Sequence, residues 1–311
     1  MRMHNADETC GIAQAALVLG DWWNVLVLRE VARGHVRFDT LAAEIGLSRK
    51  VLTERLGRLV AHGVLRRALY QRRPVRYEYL LTDAGVALLP LLVAMQDWGD
   101  QWVLGDGTVT ATATDDGAEH TRVHGLVGTR LPEGLELPAT QHAGRADGIE
   151  PPTGQGAHLP VTAPDAAATV LFTYPGTGVD WGDPPIPGAV GCTLENRLFR
   201  DAWPDFRAAG VDVCGVSTQL VHEQQEFARA EAVPYPLLSD AAHQLTAALR
   251  LPTFRGAGRL SQKRLILIVD AERTVRHALF PVVDIPHAVA ESLRLSKDCA
   301  RETRNPTPPV R

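Results

Sequence analysis

Apolar positions in the first hundred residues recur at helical spacing. In WWNVLVLREVAR, Trp22 to Arg33, they predict a helix closed by Gly34. Phe38, Leu41 and Ile45 predict a second, short helix, with Gly46 and Leu47 as the turn after it. Ser48 is a good N-cap for the helix RKVLTERLGRLVAH, which ends at Gly63. Within it Val51, Leu52, Leu56 and Leu59 form the inward stripe, and Arg49, Lys50, Thr53, Arg55 and Arg58 face outward. Two strand-like runs follow, VLRRALY (Val64 to Tyr70) and VRYEYLLT (Val75 to Thr82), joined by the loop Gln71-Arg72-Arg73-Pro74. Thr82 caps a final helix, DAGVALLPLLVAMQDWGDQWV. Its stripe of Leu88, Leu91, Met95, Trp98 and Trp102 is more apolar than the surface of one small domain allows.

The pattern then changes. Residues 107–124 are small and polar and read as a linker. From about Leu126 to Leu295, short β-branched runs alternate with helical patterns, the signature of an α/β layer structure. ATVLFTYP (Ala168 to Pro175), VDVCGVST (Val211 to Thr218) and RLILIVD (Arg264 to Asp270) read as buried strands. TLENRLFRDAWPDFRAAG, HEQQEFARAEA and AAHQLTAALR read as helices, with YPLLSD as a turn. The charged, Pro-rich end predicts a disordered tail. The expected division is a first domain at 1–106, a linker at 107–124, a second domain at 125–297 and a tail at 298–311.

Composition adds little until it is resolved along the chain. With 311 residues, 45% hydrophobic and 22% charged, there is material for two globular cores. No run of signal-peptide length or of transmembrane length is present, so a cytoplasmic protein with no membrane partner is expected. The net charge is −4, yet residues 48–77 carry nine Lys or Arg against the single acid Glu54. Clustered positive charge of this kind releases counterions from phosphate. Helix, turn, helix and a hairpin with a basic tip make the winged helix plan, and the charge falls on both the third helix and the wing. Double-stranded DNA is the partner this implies, with Ser48, Arg49, Lys50, Thr53, Arg55, Arg58, Arg72 and Arg73 as the contact set. The apolar stripe of the last helix implies a homodimer. No His, Cys and carboxylate spacing suggests a metal, and no phosphate or dinucleotide loop suggests a cofactor.

The segment from Cys10 to Trp102 resembles the HxlR-type winged helix regulators. The stretches that carry the resemblance are CGIAQAALVLGDWW, VLVLREVARGHVRFDTLAAEIGLSRKVLTERLGRLVAHGVL, YEYLLTDAGVALLPLL and DWGDQW. It implies a dimer that binds operator DNA through the helix beginning at Ser48, and a possible redox-sensing role for Cys10. The usual Gly-Lys-Trp of the family is Gly20-Asp21-Trp22 here.

The chain has four cysteines, Cys10, Cys192, Cys214 and Cys299, and no C-x-x-C pair. Cys192 stands between a Gly/Pro loop and a helix, where N–H dipoles favour a thiolate. A pKa below the ~8.5 of a free cysteine is therefore expected. A thiolate attacks the O–O bond of a peroxide and becomes a sulfenic acid. About Leu126 to Leu295 resembles the peroxiredoxins through LFTYPGTG, IPGAVGCTLENRLFRD, GVDVCGVSTQ, PYPLLSD and KRLILIVD. The resemblance implies a thioredoxin-like fold with Cys192 as the peroxidatic cysteine, Pro185 as the loop proline that shields it and Arg264 as the arginine that contacts thiolate and peroxide. The family's threonine three residues before the cysteine is Ala189 here, which leaves Thr193 as the hydroxyl that would substitute. A resolving thiol could be Cys214, Cys299 or Cys10, or an external thiol could serve. The functional expectation is a DNA-binding transcriptional regulator fused to a thiol peroxidase acting on hydrogen peroxide or organic hydroperoxides with a thiol reductant. The alternative is a redox-responsive transcription factor whose second domain senses without turnover.

Overall fold

The computed structural model describes residues 9–104, 111–113, 117–140 and 157–304. The chain forms two compact units, Met1–Val93 and Ala94–Arg311. The first is a mainly helical winged helix-turn-helix and the second an α/β thioredoxin-like fold.

In the first unit α1 (Gly11–Leu19), α2 (Trp22–Ala32), α3 (Phe38–Ile45) and α4 (Arg49–Ala61) precede the hairpin β1 (Leu65–Arg72) and β2 (Val75–Leu81). The core gathers Val27, Leu28, Leu41, Leu52, Leu56, Leu59, Val64 and Leu65, so the inward stripe of α4 meets α2 and α3. Val51 is only half-buried. Gly46, at φ +71, reverses the chain between α3 and α4, and the Ser48 hydroxyl accepts from the Val51 amide at 3.4 Å. Strand β1 runs on to Arg72, so the wing tip shortens to Arg73 and Pro74.

The helix expected after Thr82 is broken into three. Thr82 caps the single turn α5 (Asp83–Val86), α6 covers Leu89–Gly99, and a wider turn of π type covers Asp100–Leu104. The break rotates Leu88 into the first core. Leu91, Met95, Trp98 and Trp102 stay exposed.

In the second unit α7 (Ala118–His124) lies inside the stretch expected to be linker. Its Glu119 and Val123 are buried. The short pair β3 (Glu136–Pro138) and β4 (His158–Pro160) follows. The main sheet is built from β5 (Ala168–Thr173), then α8 (Cys192–Ala208), β6 (Val211–Ser217), α9 (Val221–Ala230), β7 (Leu237–Ser239) and α10 (Gln244–Leu249). A hairpin of β8 (Thr253–Gly256) and β9 (Arg259–Gln262) leads into β10 (Leu265–Asp270), β11 (Val275–Leu279) and α11 (Ile285–Arg304). The strand order is β11-β10-β5-β6-β7. Strand β5 runs parallel to β6 and antiparallel to β10, with Leu171 opposite both Cys214 and Leu267.

Both faces of the sheet are covered, which explains the unbroken apolar runs of β5 and β10. One face packs under α7 and α10. The other packs under α8 and α11, where Phe172 stacks on Phe199 at 4.2 Å and meets Tyr235 edge-on at 5.9 Å. Such aromatic pairs contribute roughly 0.5–1.5 kcal/mol each beyond burial.

The tail expectation fails for residues 298–304. Helix α11 continues to Arg304 and buries Cys299 and Ala300 in the main core. Ala288, Val289, Ser292, Ser296 and Cys299 recur at helical spacing, and two serines in that stripe hide it from a reading by hydrophobicity. Residues 305–311 lie outside the described residues. Among the described residues no single helix is long and apolar enough to cross a membrane.

Candidate functional sites

Cys192 is the first residue of α8, and Gly191 before it sits at φ +97. A side chain at Gly191 would strain that backbone, and its Cβ would come within 2.7 Å of Ile285 Cδ1. Cys192 is buried, at 3% exposure. Arg264, the residue before β10, donates from Nη2 to Cys192 Sγ at 3.3 Å. The same guanidinium donates to the carbonyls of Gly188 (3.0 Å) and Val190 (3.2 Å) and, through Nε, to Glu195 at 2.7 Å. The cation therefore ties together the loop, the thiol and the first turn of α8.

Glu195 was not among the expected site residues. In sequence it reads as an ordinary acid in a helical first turn, the place the dipole favours. Folding buries it fully and leaves Arg264 as its only ion-pair partner among the described residues. Burial lifts its carboxyl to about 7, although Arg264 pulls downward.

The expected low pKa of Cys192 is not what the geometry gives. Burial pushes the thiol above its ordinary value, against the pull of Arg264, while Glu195 adds to the rise. The Gly176 amide, aimed at the sulfur, also pulls downward without offsetting burial. The sequence placed the helix N-terminus correctly but could not count the groups that exclude water.

The other loop residues are spread out. Ala189 is fully buried, and its carbonyl accepts from Cys192 Sγ at 3.5 Å. Pro185 lies in an exposed turn at 182–185. Thr193 is half-buried in the first turn of α8, and its hydroxyl has no hydrogen-bond partner among the described residues. Cys214 and Cys299 are both buried. Burial drives the Cys214 thiol far up and raises Cys299 to about 11. Cys10 is exposed just before α1.

In the first unit Ser48, Arg49, Lys50, Thr53, Arg58, Arg72 and Arg73 are all exposed. Among the described residues Lys50, Arg72 and Arg73 have no carboxylate partner. Arg49 reaches Asp39 at 2.8 Å and lies over the Phe38 ring. Arg58 pairs with Glu54 one helical turn back.

Arg55 departs from the expected contact set. Its side chain is 15% exposed and pairs with Asp21 at 2.8 Å. Asp21 also caps α2 by accepting from the Trp23 amide. The unusual Gly20-Asp21-Trp22 thus has a structural use, and Arg55 is spent on it. One group with metal-ligand spacing, Glu30, His35 and Glu44, escaped the sequence reading. Glu30 is already held there by Arg29, Arg33 and His35 at 2.6–3.0 Å.

Residues 18–106 match the HxlR-like helix-turn-helix family. An HTH-type transcriptional regulator of Synechocystis is 36% identical over 124 residues, covering 38% of this chain and 92% of that protein. The chain belongs to the HxlR-like helix-turn-helix family. Residues 185–278 match the AhpC/TSA family, so the chain carries an AhpC/TSA domain behind its HxlR-like winged helix. An HTH-type transcriptional regulator of Mycobacterium tuberculosis is 38% identical over 92 residues, or 30% of this chain. The chain spans 58% of that regulator's length. Among solved structures, the peroxidoxin BcpB of Mycobacterium tuberculosis is 24% identical, with a TM-score of 0.43, covering 56% of this chain and 96% of its own.

Proposed function

We propose that the protein is a DNA-binding regulator whose AhpC/TSA domain reduces peroxides through Cys192. The observation that carries this reading is the Arg264 guanidinium 3.3 Å from a buried sulfur at a helix N-terminus. The thiolate sulfur bonds to the distal peroxide oxygen, the O–O bond breaks, and the alkoxide or hydroxide leaves and takes a proton from water. The distal oxygen keeps its proton, giving Cys192 sulfenic acid. Arg264 stabilises both the thiolate and the charge growing on the leaving oxygen. With Ala189 in the loop, the hydroxyl nearest in sequence is that of Thr193. Burial of Cys214 and Cys299 favours an external thiol over either of them as the reductant: it attacks the sulfenic sulfur, water leaves, and a second thiol releases the mixed disulfide.

A second reading, sensing without turnover, is favoured by the burial of the thiol and its upward-shifted pKa. Steady-state consumption of hydrogen peroxide or cumene hydroperoxide with a thiol in excess separates the two. Sustained turnover supports the enzyme, and a single stoichiometric oxidation supports the sensor.

Double-stranded DNA binds along α4 and the wing. Replacing Arg72 and Arg73 by Ala is expected to weaken binding on all sequences and to reduce the salt slope by about one unit for each phosphate no longer neutralised. An unchanged slope in anisotropy titrations would take the wing out of the interface. The partner for Leu91, Met95, Trp98 and Trp102 is a second copy of the chain. Light scattering should give a dimer at micromolar concentration and a monomer for Trp98→Glu, since a charge on this stripe would have to be buried. A monomeric wild type would remove this assignment.

A further inference from the structure

Segments near the start of the second unit are built into the surroundings of Cys192. Asp97, near the end of α6, pairs with Arg255 at 3.0 Å, and Asp100 pairs with Arg250 at 2.6 Å. Residues 111–113 then cross the loop that precedes Cys192. The Ala111 amide donates to the Pro187 carbonyl at 2.9 Å. Ala111 is buried in one cluster with Trp181, Ala189 and Phe254. Gly188 sits at φ +81, and any Cβ there would overlap the Thr112 side chain. The Thr112 carbonyl accepts from Lys263 Nζ at 3.1 Å, and Lys263 pairs with Glu119 of α7 at 2.6 Å. Lys263 is fully buried and precedes Arg264, which donates to the Gly188 carbonyl at 3.0 Å. The loop of Cys192 is thus gripped from inside by Arg264 and from outside by a strap made of residues 111–113 and, through Lys263, the start of α7.

We propose that this strap is coupled to the state of Cys192, closed over the loop in the reduced protein and released when the sulfur is modified. The proposal rests on the reading of Cys192 as the peroxide-reactive thiol. A reductant thiol must form an S–S bond at the sulfur of a buried residue, so the loop has to open. Ala189, whose carbonyl accepts from the thiol, is covered by Ala111, so opening breaks the Ala111–Pro187 hydrogen bond and separates Gly188 from Thr112. Coupling is reciprocal: loosening the strap exposes the thiol, and a group added to the sulfur loosens the strap.

Hydrogen exchange with mass spectrometry on the full-length chain tests this. Three states are compared: reduced, treated with hydrogen peroxide, and treated with methyl methanethiosulfonate. In the last, the Cys192 thiolate attacks the sulfenyl sulfur, an S–S bond forms and methanesulfinate leaves, so no peroxide chemistry is required. Exchange in 111–113 and at the start of α7 should rise by about tenfold in the modified states, the equivalent of one buried hydrogen bond. Glu119→Gln and Gly188→Ala should each speed iodoacetamide alkylation of Cys192 by a similar factor at unchanged helical content. Unchanged exchange in the methylthio adduct, or an unchanged alkylation rate in both variants, overturns the coupling. A response to the thiosulfonate with no reaction toward peroxide sustains the coupling and overturns the peroxide reading instead.

Discussion

Cys192→Ser is expected to lower the rate of peroxide consumption by roughly 10³-fold or more, because the variant lacks the nucleophile itself. Mass spectrometry after one equivalent of hydrogen peroxide should find sulfenic acid, or a disulfide derived from it, at Cys192 first. Cys214 and Cys299 are buried with raised pKa values, so their thiolate fractions are minute at neutral pH. Cys10 is exposed just before α1, outside the second unit that holds Arg264. The direction of the Cys192 shift adds a pH signature. With the thiol held above its ordinary value, the oxidation rate should climb by about tenfold per pH unit through neutrality, as the thiolate fraction does. A rate that is flat from pH 6 to 8 would mean a thiol already ionised and would refute the upward shift. Oxidation of Cys10 ahead of Cys192 would transfer the peroxide response to the first unit.

Arg264→Ala is the second large effect. The substitution removes the only ion-pair partner of a fully buried carboxylate among the described residues. It also takes the donor from the Gly188 and Val190 carbonyls and from the thiol. Breaking a buried pair from one side costs about 3–5 kcal/mol. With the arginine gone, the Glu195 carboxyl should rise beyond its value of about 7 and the Cys192 thiol should rise with it, since Arg264 pulls both down. Thermal unfolding should show a markedly lower Tm, and peroxide oxidation should slow at every pH below the new thiol pKa. The double variant Arg264→Met with Glu195→Gln separates the two effects. It leaves no buried unpaired charge, so stability should largely return while reactivity stays low. Recovery of both together would reduce Arg264 to a structural role.

The two-domain order, the helix-turn-helix with its basic wing and the position of Cys192 at a helix start were all legible in the sequence. They depend on local chemistry: helical periodicity, Ser48 and Thr82 as caps, glycines at the turns, and charge counted along the chain. The family resemblances placed Arg264 in sequence, and the fold then brought it across to the sulfur.

Other features came only from tertiary structure, because burial and pairing are set by what packs from elsewhere in the chain. Arg55 looked outward on the helical wheel until Asp21 of a neighbouring element claimed it. Glu195 looked like a dipole acid until α8 packed against β6 and α11 and shut out water. Residues 118–124 looked like linker, and 298–304 like tail, because their polar side chains find partners only in the fold: Glu119 with Lys263, Arg276 with Glu302. The direction of the Cys192 pKa is of the same kind. A sequence shows the helix start that favours the thiolate, but only the packed core shows how completely water is removed from the sulfur, and here that removal dominates.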